Sequence, residues 1–474
     1  MPYTSTRDAG RPPHELPFDE TLLAGLAPDG GLFVPTAWPR LEAGDVKSFA
    51  GRPYAEIAAR VMAPFLDGTI APRDWERMVA DAYRDFDDPA VAPLKELGDG
   101  LFLLELFHGP TLAFKDFALQ LVGRLFDHVL ARRRARITII GATSGDTGSA
   151  AIAACRDRDA IDIFMLYPKG RISEIQRRQM TTVAAANVHA IAIDGTFDDC
   201  QDLVKAMFAD ARFRAELALS AVNSINWARI MAQIVYYAAS AAALGAPERS
   251  VAFAVPTGNF GNVYAAHGAR RMGLPISQLV IGTNRNDILA RFINDGAMTI
   301  GAVEPSLSPS MDIQVSSNFE RLYFELVGDD AARLAAAMSE FRRSGTLPAS
   351  RAEWEQAAAL FAAQRVDDAG ILAEIAATYR ATGVILDPHS AVAVAAAKAK
   401  RADRGVPMVA LATAHPAKFP EAVARAIGKA PATPARLKGV LTAPERAPAL
   451  PKDLAAVEDF IRAHARAVLA GAGP

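Results

Sequence analysis

The chain reads as an α/β protein, with mainly parallel sheets flanked by helices and a mostly helical region in front of them. Three observations predict this. From Leu101 onward, short apolar runs of β type alternate with helical stretches, the rhythm of strands joined by crossover helices rather than by hairpins. Glycine- or proline-bearing turns follow such runs at 141–150, 256–262 and 412–419. The composition, 51% hydrophobic and 22% charged over 474 residues, is that of a globular chain with room for two or three cores.

In chain order, residues 1–92 contain turns such as Ala27-Pro28-Asp29-Gly30-Gly31 and helical patterns over 54–65 and 75–86, and read as a separate N-terminal unit. After Lys115, Ala118, Leu121, Val122, Leu125 and Val129 recur at helical spacing, which predicts an amphipathic helix beginning at the lysine. The basic run Arg132-Arg133-Arg134-Ala135-Arg136 suits the C-terminal end of that helix. Strands are expected over 137–140, 161–167, 188–193, 251–255, 279–282 and 408–411. A short small-residue helix fits 149–155, and further helices fit 263–272 and 329–343. The 300–350 region, with Pro305 and Pro309, finds no place on the sheet. Residues 430–451 are Pro/Ala-rich and read as a surface connection, followed by a closing helix over 454–469. The expected division is 1–92 as N-terminal domain, 93–135 with 251–450 as a large cofactor-binding domain, 136–250 as a small α/β domain, and 451–474 as C-terminal helix.

Charge excludes some functions. Lys plus Arg at 51 against Asp plus Glu at 53 leaves a net charge of −2, so there is no electrostatic case for nucleic acid or an anionic membrane. Two cysteines, Cys155 and Cys200, exclude a disulfide framework and a cysteine zinc site. No metal is expected. No apolar signal core or membrane-length run is visible, and a cytoplasmic protein is expected.

The chemistry centres on Lys115. It follows the rigid Gly109-Pro110 turn in an apolar surround, and burial disfavours an ammonium, so this amine can act as a nucleophile and form a Schiff base with an aldehyde cofactor. A snorkelling lysine at a helix start is the alternative. The loop Gly141-Ala142-Thr143-Ser144-Gly145-Asp146-Thr147-Gly148 lies between strand and helix and can converge amides and hydroxyls on a carboxylate or phosphate. It lacks the Gly-Lys-Ser/Thr of a P-loop and the spacing of a nucleophile elbow, and a polar helix cap would look the same. Pro256-Thr257-Gly258-Asn259-Phe260-Gly261-Asn262 can cradle a phosphate with main-chain donors; an ordinary left-handed turn also uses Gly-Asn. Thr413 ends the strand before it, at the sheet edge where open α/β folds bind ligands, and could offer its hydroxyl to a ring nitrogen. His415 is either a site residue or a structural histidine.

An imine-forming lysine, a phosphate cradle and a second anion loop together suit pyridoxal phosphate. The sequence resembles the threonine synthase family, in its longer form with an extra N-terminal domain. The resemblance rests on ELFHGPTLAFKDFALQ at 105–120, ATSGDTGSAA at 142–151, NSINWARI at 223–230, PTGNFGN at 256–262 and TAHPAKFPEAV at 413–423, with STR at 5–7 and GLAPDGGLFVP at 25–35. It implies the fold type II architecture of pyridoxal-phosphate enzymes and conversion of O-phospho-L-homoserine and water to L-threonine and phosphate, by a monomer or homodimer. By the same resemblance, Lys115 would hold pyridoxal 5'-phosphate as an imine and move protons. Gly258, Asn259, Phe260, Gly261 and Asn262 would bind its phosphate, and Thr413 its ring nitrogen. Thr143, Ser144, Gly145, Asp146 and Thr147 would surround the substrate carboxylate, although a carboxylate at Asp146 would repel another anion unless offset. Arg229, with Lys169 or Arg171, would meet the substrate phosphate, and Asn226 would shape that pocket. For each cation the alternative is a surface ion pair. The rival functions are a phospholyase of the same fold acting on another phosphorylated amine, and a non-catalytic ligand-binding homologue.

Overall fold

A computed structural model describes residues 1–66 and 68–466. By internal contacts the chain forms two units, one of Met1–Leu22, Leu26–Phe114 and Ser224–Pro431, the other of Leu23–Gly25, Lys115–Asn223 and Ala432–Pro474.

The first unit is built on a six-stranded sheet in the order Phe361–Arg365, Ile276–Thr283, Val251–Pro256, Met408–Ala412, Leu101–Glu105 and Leu94–Gly98. All neighbours are parallel except the last pair. The inner strands are apolar throughout because both faces are covered. On one face Ala252, Ala254, Val280 and Ala410 meet Ala393, Ala396 and Ala397 of helix Pro388–Lys400. The alanine richness of the chain therefore has a packing use here, since small side chains let helix and sheet approach closely. At Gly282 a Cβ would stand 2.9 Å from a Val392 methyl and 3.1 Å from the Val392 carbonyl oxygen. On the other face, Phe253 packs edge-on against Tyr237 of helix Trp227–Ala243, with ring centroids 4.9 Å apart.

The N-terminal region packs within this unit. Its aromatic residues explain why. The ring of Trp227 lies 5.9 Å from Tyr3, 5.7 Å from Trp38 and 5.8 Å from Phe65, and such pairs add about 0.5–1.5 kcal/mol each beyond area burial. Arg7 forks onto Glu320, and the buried Arg321 donates to the Phe33 carbonyl.

The second unit has a parallel five-stranded sheet in the order Ala449–Pro451, Val188–Asp194, Ile161–Pro168, Ile137–Ala142 and Leu219–Ser220. Helix Lys115–Arg133 begins at the expected lysine, but it is buried on all sides over its first nine residues rather than amphipathic. It lies so close to helix Asp146–Cys155 that a Cβ on Gly123 would meet the Ala154 carbonyl oxygen at 2.5 Å. This contact keeps residues 115–135 with the small sheet, whereas the expected division put them in the large domain.

The region read as a surface connection contains helix Ala435–Thr442 and an edge strand, Ala449–Pro451. Prolines are tolerated on an edge, and here the Pro448 carbonyl accepts from the Ala192 amide. The closing helix is described as Leu454–His464; residues 467–469 of the expected span lie outside the described residues. Among the described residues no helix is long and apolar enough to cross a membrane.

Candidate active site

In the first unit, strand Val251–Pro256 runs into the 257–260 turn and then helix Gly261–Arg271. Phe260 precedes the helix in the left-handed region, at φ 63°. The carbonyls of the turn are tied back. Ser316 Oγ donates to Gly258 O at 2.6 Å, and Asn259 O accepts both the amide and the side-chain Nδ2 of Asn318 at 3.0 Å. With the carbonyls held on that side, the first amides of the helix, which have no intrahelical partner by construction, remain available to an anion.

The 300–350 region thus has a role after all. It forms no strand, but residues 308–318 back the turn. Gly258 owes its identity to this backing: a Cβ would stand 3.0 Å from the Ser310 carbonyl oxygen and 3.2 Å from Met311 Cα.

Asn262 gives the clearest test of whether an anion fits. It is 7% exposed, and its Oδ1 accepts from the hydroxyls of Tyr236 at 2.5 Å and Tyr237 at 2.7 Å. Its Nδ2, also buried, has no acceptor among the described residues. A buried donor of this kind is costly unless something accepts from it, and a phosphate oxygen would do so. The residues present fit the cofactor phosphate.

Thr413 is buried, and its carbonyl accepts from the amide of Phe114, the residue before Lys115. His415 is structural in its contacts: Nδ1 accepts from the Ala417 amide at 3.1 Å, and burial pushes its pKa down to about 4. Asn226 is also committed. Its Oδ1 caps helix Trp227–Ala243 at the Ala228 amide, and its Nδ2 donates to Leu22 O at 2.9 Å. Arg229, one turn on, is 3% exposed, and burial holds its guanidinium down to about 10.

In the second unit, Lys115 is 9% exposed and its Nζ lies 3.9 Å from Asp146 Oδ2. The other carboxylate oxygen accepts from Gln176 Nε2 at 2.9 Å, so Asp146 is offset by a cation and a donor. Thr143 is an organiser of its own loop: its Oγ1 accepts from the amides of Gly145 at 3.0 Å and Gly148 at 2.9 Å. Ser144 and Thr147 are half-buried. Lys169 is not gathered in: its ammonium pairs with Asp194 at 3.1 Å with both side chains more than half exposed, and Arg171 is exposed in the following turn.

Sequence reading missed Gln176, Tyr236, Tyr237, Ser316 and Asn318. None carries a local signal, because each acts on a loop at least 25 residues away.

Gly145 offers a sharp test of the second loop. It adopts φ 142°, and a Cβ there would lie 2.4–2.5 Å from the buried amide of Gln176. Gly145→Ala should cost roughly 1–3 kcal/mol through backbone strain alone, and should dislodge Gln176 from Asp146. Thermal unfolding checks the first effect. Adding Gln176→Ala should relieve the overlap but not the strain; full recovery of stability in the pair would refute the backbone part.

Comparison with known proteins adds the class. The family model described as "Pyridoxal-phosphate dependent enzyme" matches residues 89–413, so the chain is a pyridoxal-phosphate enzyme with the fold of that class. "Threonine synthase N terminus" matches 2–83 and "Threonine synthase, C-terminal" matches 390–461. A threonine synthase of Pseudomonas aeruginosa is 55% identical over 465 residues, covering 98% of each chain. One of Saccharomyces cerevisiae is 42% identical over 90% of this chain and 89% of its own. The crystal structure of pyridoxal-phosphate-bound threonine synthase from Brucella melitensis has a TM-score of 0.95 at 50% identity, covering 98% of this chain and all of that one. The chain belongs to the threonine synthase family.

Proposed function

We propose that the protein converts O-phospho-L-homoserine and water to L-threonine and phosphate, as a cytoplasmic monomer or homodimer. The observation that carries the substrate assignment is the buried guanidinium of Arg229. The planar fork of a guanidinium suits the two oxygens of a phosphate, and such a charge-assisted contact is stronger away from bulk water. The cytoplasmic part is supported by cysteine usage: only Cys155 and Cys200 occur, and neither is in a disulfide.

When bound, pyridoxal phosphate supplies an electron sink for charge that develops on the substrate carbons. Lys115 would hold the cofactor through Nζ, and the same amine, when free, would be the base that takes the proton from the substrate Cα. Asp146, oriented by Gln176, keeps that Nζ in place. The Gly258-Asn259-Phe260-Gly261-Asn262 turn would bind the cofactor phosphate, and the Thr413 hydroxyl would serve the ring nitrogen. The hydroxyls of Ser144 and Thr147, on the loop that Thr143 ties together through the Gly145 and Gly148 amides, would take the substrate carboxylate. Arg229 receives the departing phosphate, and Asn226 fixes the helix that carries it.

The test is an assay with O-phosphohomoserine that measures phosphate release and identifies the co-product. Threonine in equal amount is the expected result. Phosphate accompanied by ammonia and a 2-oxo acid would make the protein a phospholyase instead.

A further inference from the structure

Nothing in the reaction as described uses Tyr236 or Tyr237, yet both are fully buried side chains of helix Trp227–Ala243 that converge on one atom. Tyr237 donates to Asn262 Oδ1 at 2.7 Å and approaches Asn262 O at 3.0 Å, while Tyr236 donates to the same Oδ1 at 2.5 Å. A side-chain amide has an oxygen end and a nitrogen end of nearly equal shape. Two phenol protons aimed at one end decide which is which.

We infer that Tyr236 and Tyr237 are positioning residues for the cofactor phosphate: they turn the Asn262 amide so that Nδ2 donates to it. This rests on the reading of the 258–262 turn as the cofactor-phosphate site. Three observations support it. Asn262 is the second residue of helix Gly261–Arg271, where the backbone amide also lacks an intrahelical acceptor. Its Nδ2 is the end left without an acceptor among the described residues. The tyrosine rings are themselves locked, 4.9 Å from each other and with Tyr237 edge-on to Phe253. Burial also pushes both hydroxyls well above the usual tyrosine range, so they remain donors.

Phenylalanine at either position keeps the ring and removes only the hydroxyl. The experiment titrates the apo protein with pyridoxal phosphate and, separately, with pyridoxal, which lacks the phosphate, following absorbance. The variants are Tyr236→Phe, Tyr237→Phe and the double substitution, each also in an Asn262→Ala background. The double variant should bind pyridoxal phosphate about tenfold to hundredfold more weakly, the worth of a hydrogen bond to a charged group, with pyridoxal unaffected. In the Asn262→Ala background the tyrosine substitutions should add nothing, since they act through that amide. Equal losses for the two ligands, or a full additional loss without Asn262, would show that the tyrosines support only the fold and would overturn the inference. If the unsubstituted protein bound pyridoxal as tightly as its phosphate, the turn itself would lose its assignment, which separates the two failures.

Discussion

Lys115→Ala should yield a folded protein that no longer forms a borohydride-reducible bond to pyridoxal phosphate and has lost nearly all turnover. Loss of a positioned proton-transfer group alone costs about 10²–10⁴-fold, and loss of the covalent anchor adds to it. The loss should show as a fall in kcat that added cofactor does not repair. Reduction of the unsubstituted protein with borohydride, followed by peptide mapping, should place the pyridoxyl group on Lys115. Two other lysines make the mapping decisive. Lys418 is fully buried but already donates to Thr111 O at 2.8 Å, and Lys169 is a surface partner of Asp194. A label on either would sink the assignment.

Arg229→Lys should keep the charge, the cofactor and the fold, and lose affinity for O-phosphohomoserine. Lysine presents a compact ammonium in place of the planar fork. Loss of a charge-assisted hydrogen bond is worth roughly 1.5–3 kcal/mol, about tenfold to hundredfold in catalytic efficiency. Titration by absorbance should compare O-phosphohomoserine with an analogue lacking the phosphate, in both proteins. A loss confined to the phosphorylated ligand is the expected result. Equal losses would make Arg229 a support of the helix that Asn226 caps, and the phosphate assignment would pass to Arg171 or Lys169.

The long apolar runs were legible as strands because both faces of each are buried, so hydrophobicity is unbroken along them. Strands at or near an edge were not. Leu94–Gly98 carries Lys95 and Glu96 to solvent, and Ala449–Pro451 is three residues with a proline. The motifs on strand-to-helix turns could be read because a turn is a local object. What holds those turns could not. Gln176 reaches Asp146 across 30 residues and Asn318 reaches Asn259 across 59, and a single sequence has no periodicity over such distances. The surface pairing of Lys169 was equally hidden, since its partner is Asp194 on the neighbouring strand.

The backing of the 257–260 turn by Ser316 and Asn318 has a consequence for the order of assembly during synthesis. A nascent chain that has emerged only to residue 300 contains every residue of the turn but neither of the side chains that restrain its carbonyls. Strand Met408–Ala412, central to the same sheet, is also still unmade. By contrast, residues 115–223 have by then supplied four of the five strands of the smaller sheet, with only Ala449–Pro451 outstanding. Four strands of the smaller sheet are therefore complete in the emerging chain before the side chains that restrain the 257–260 turn have been synthesised.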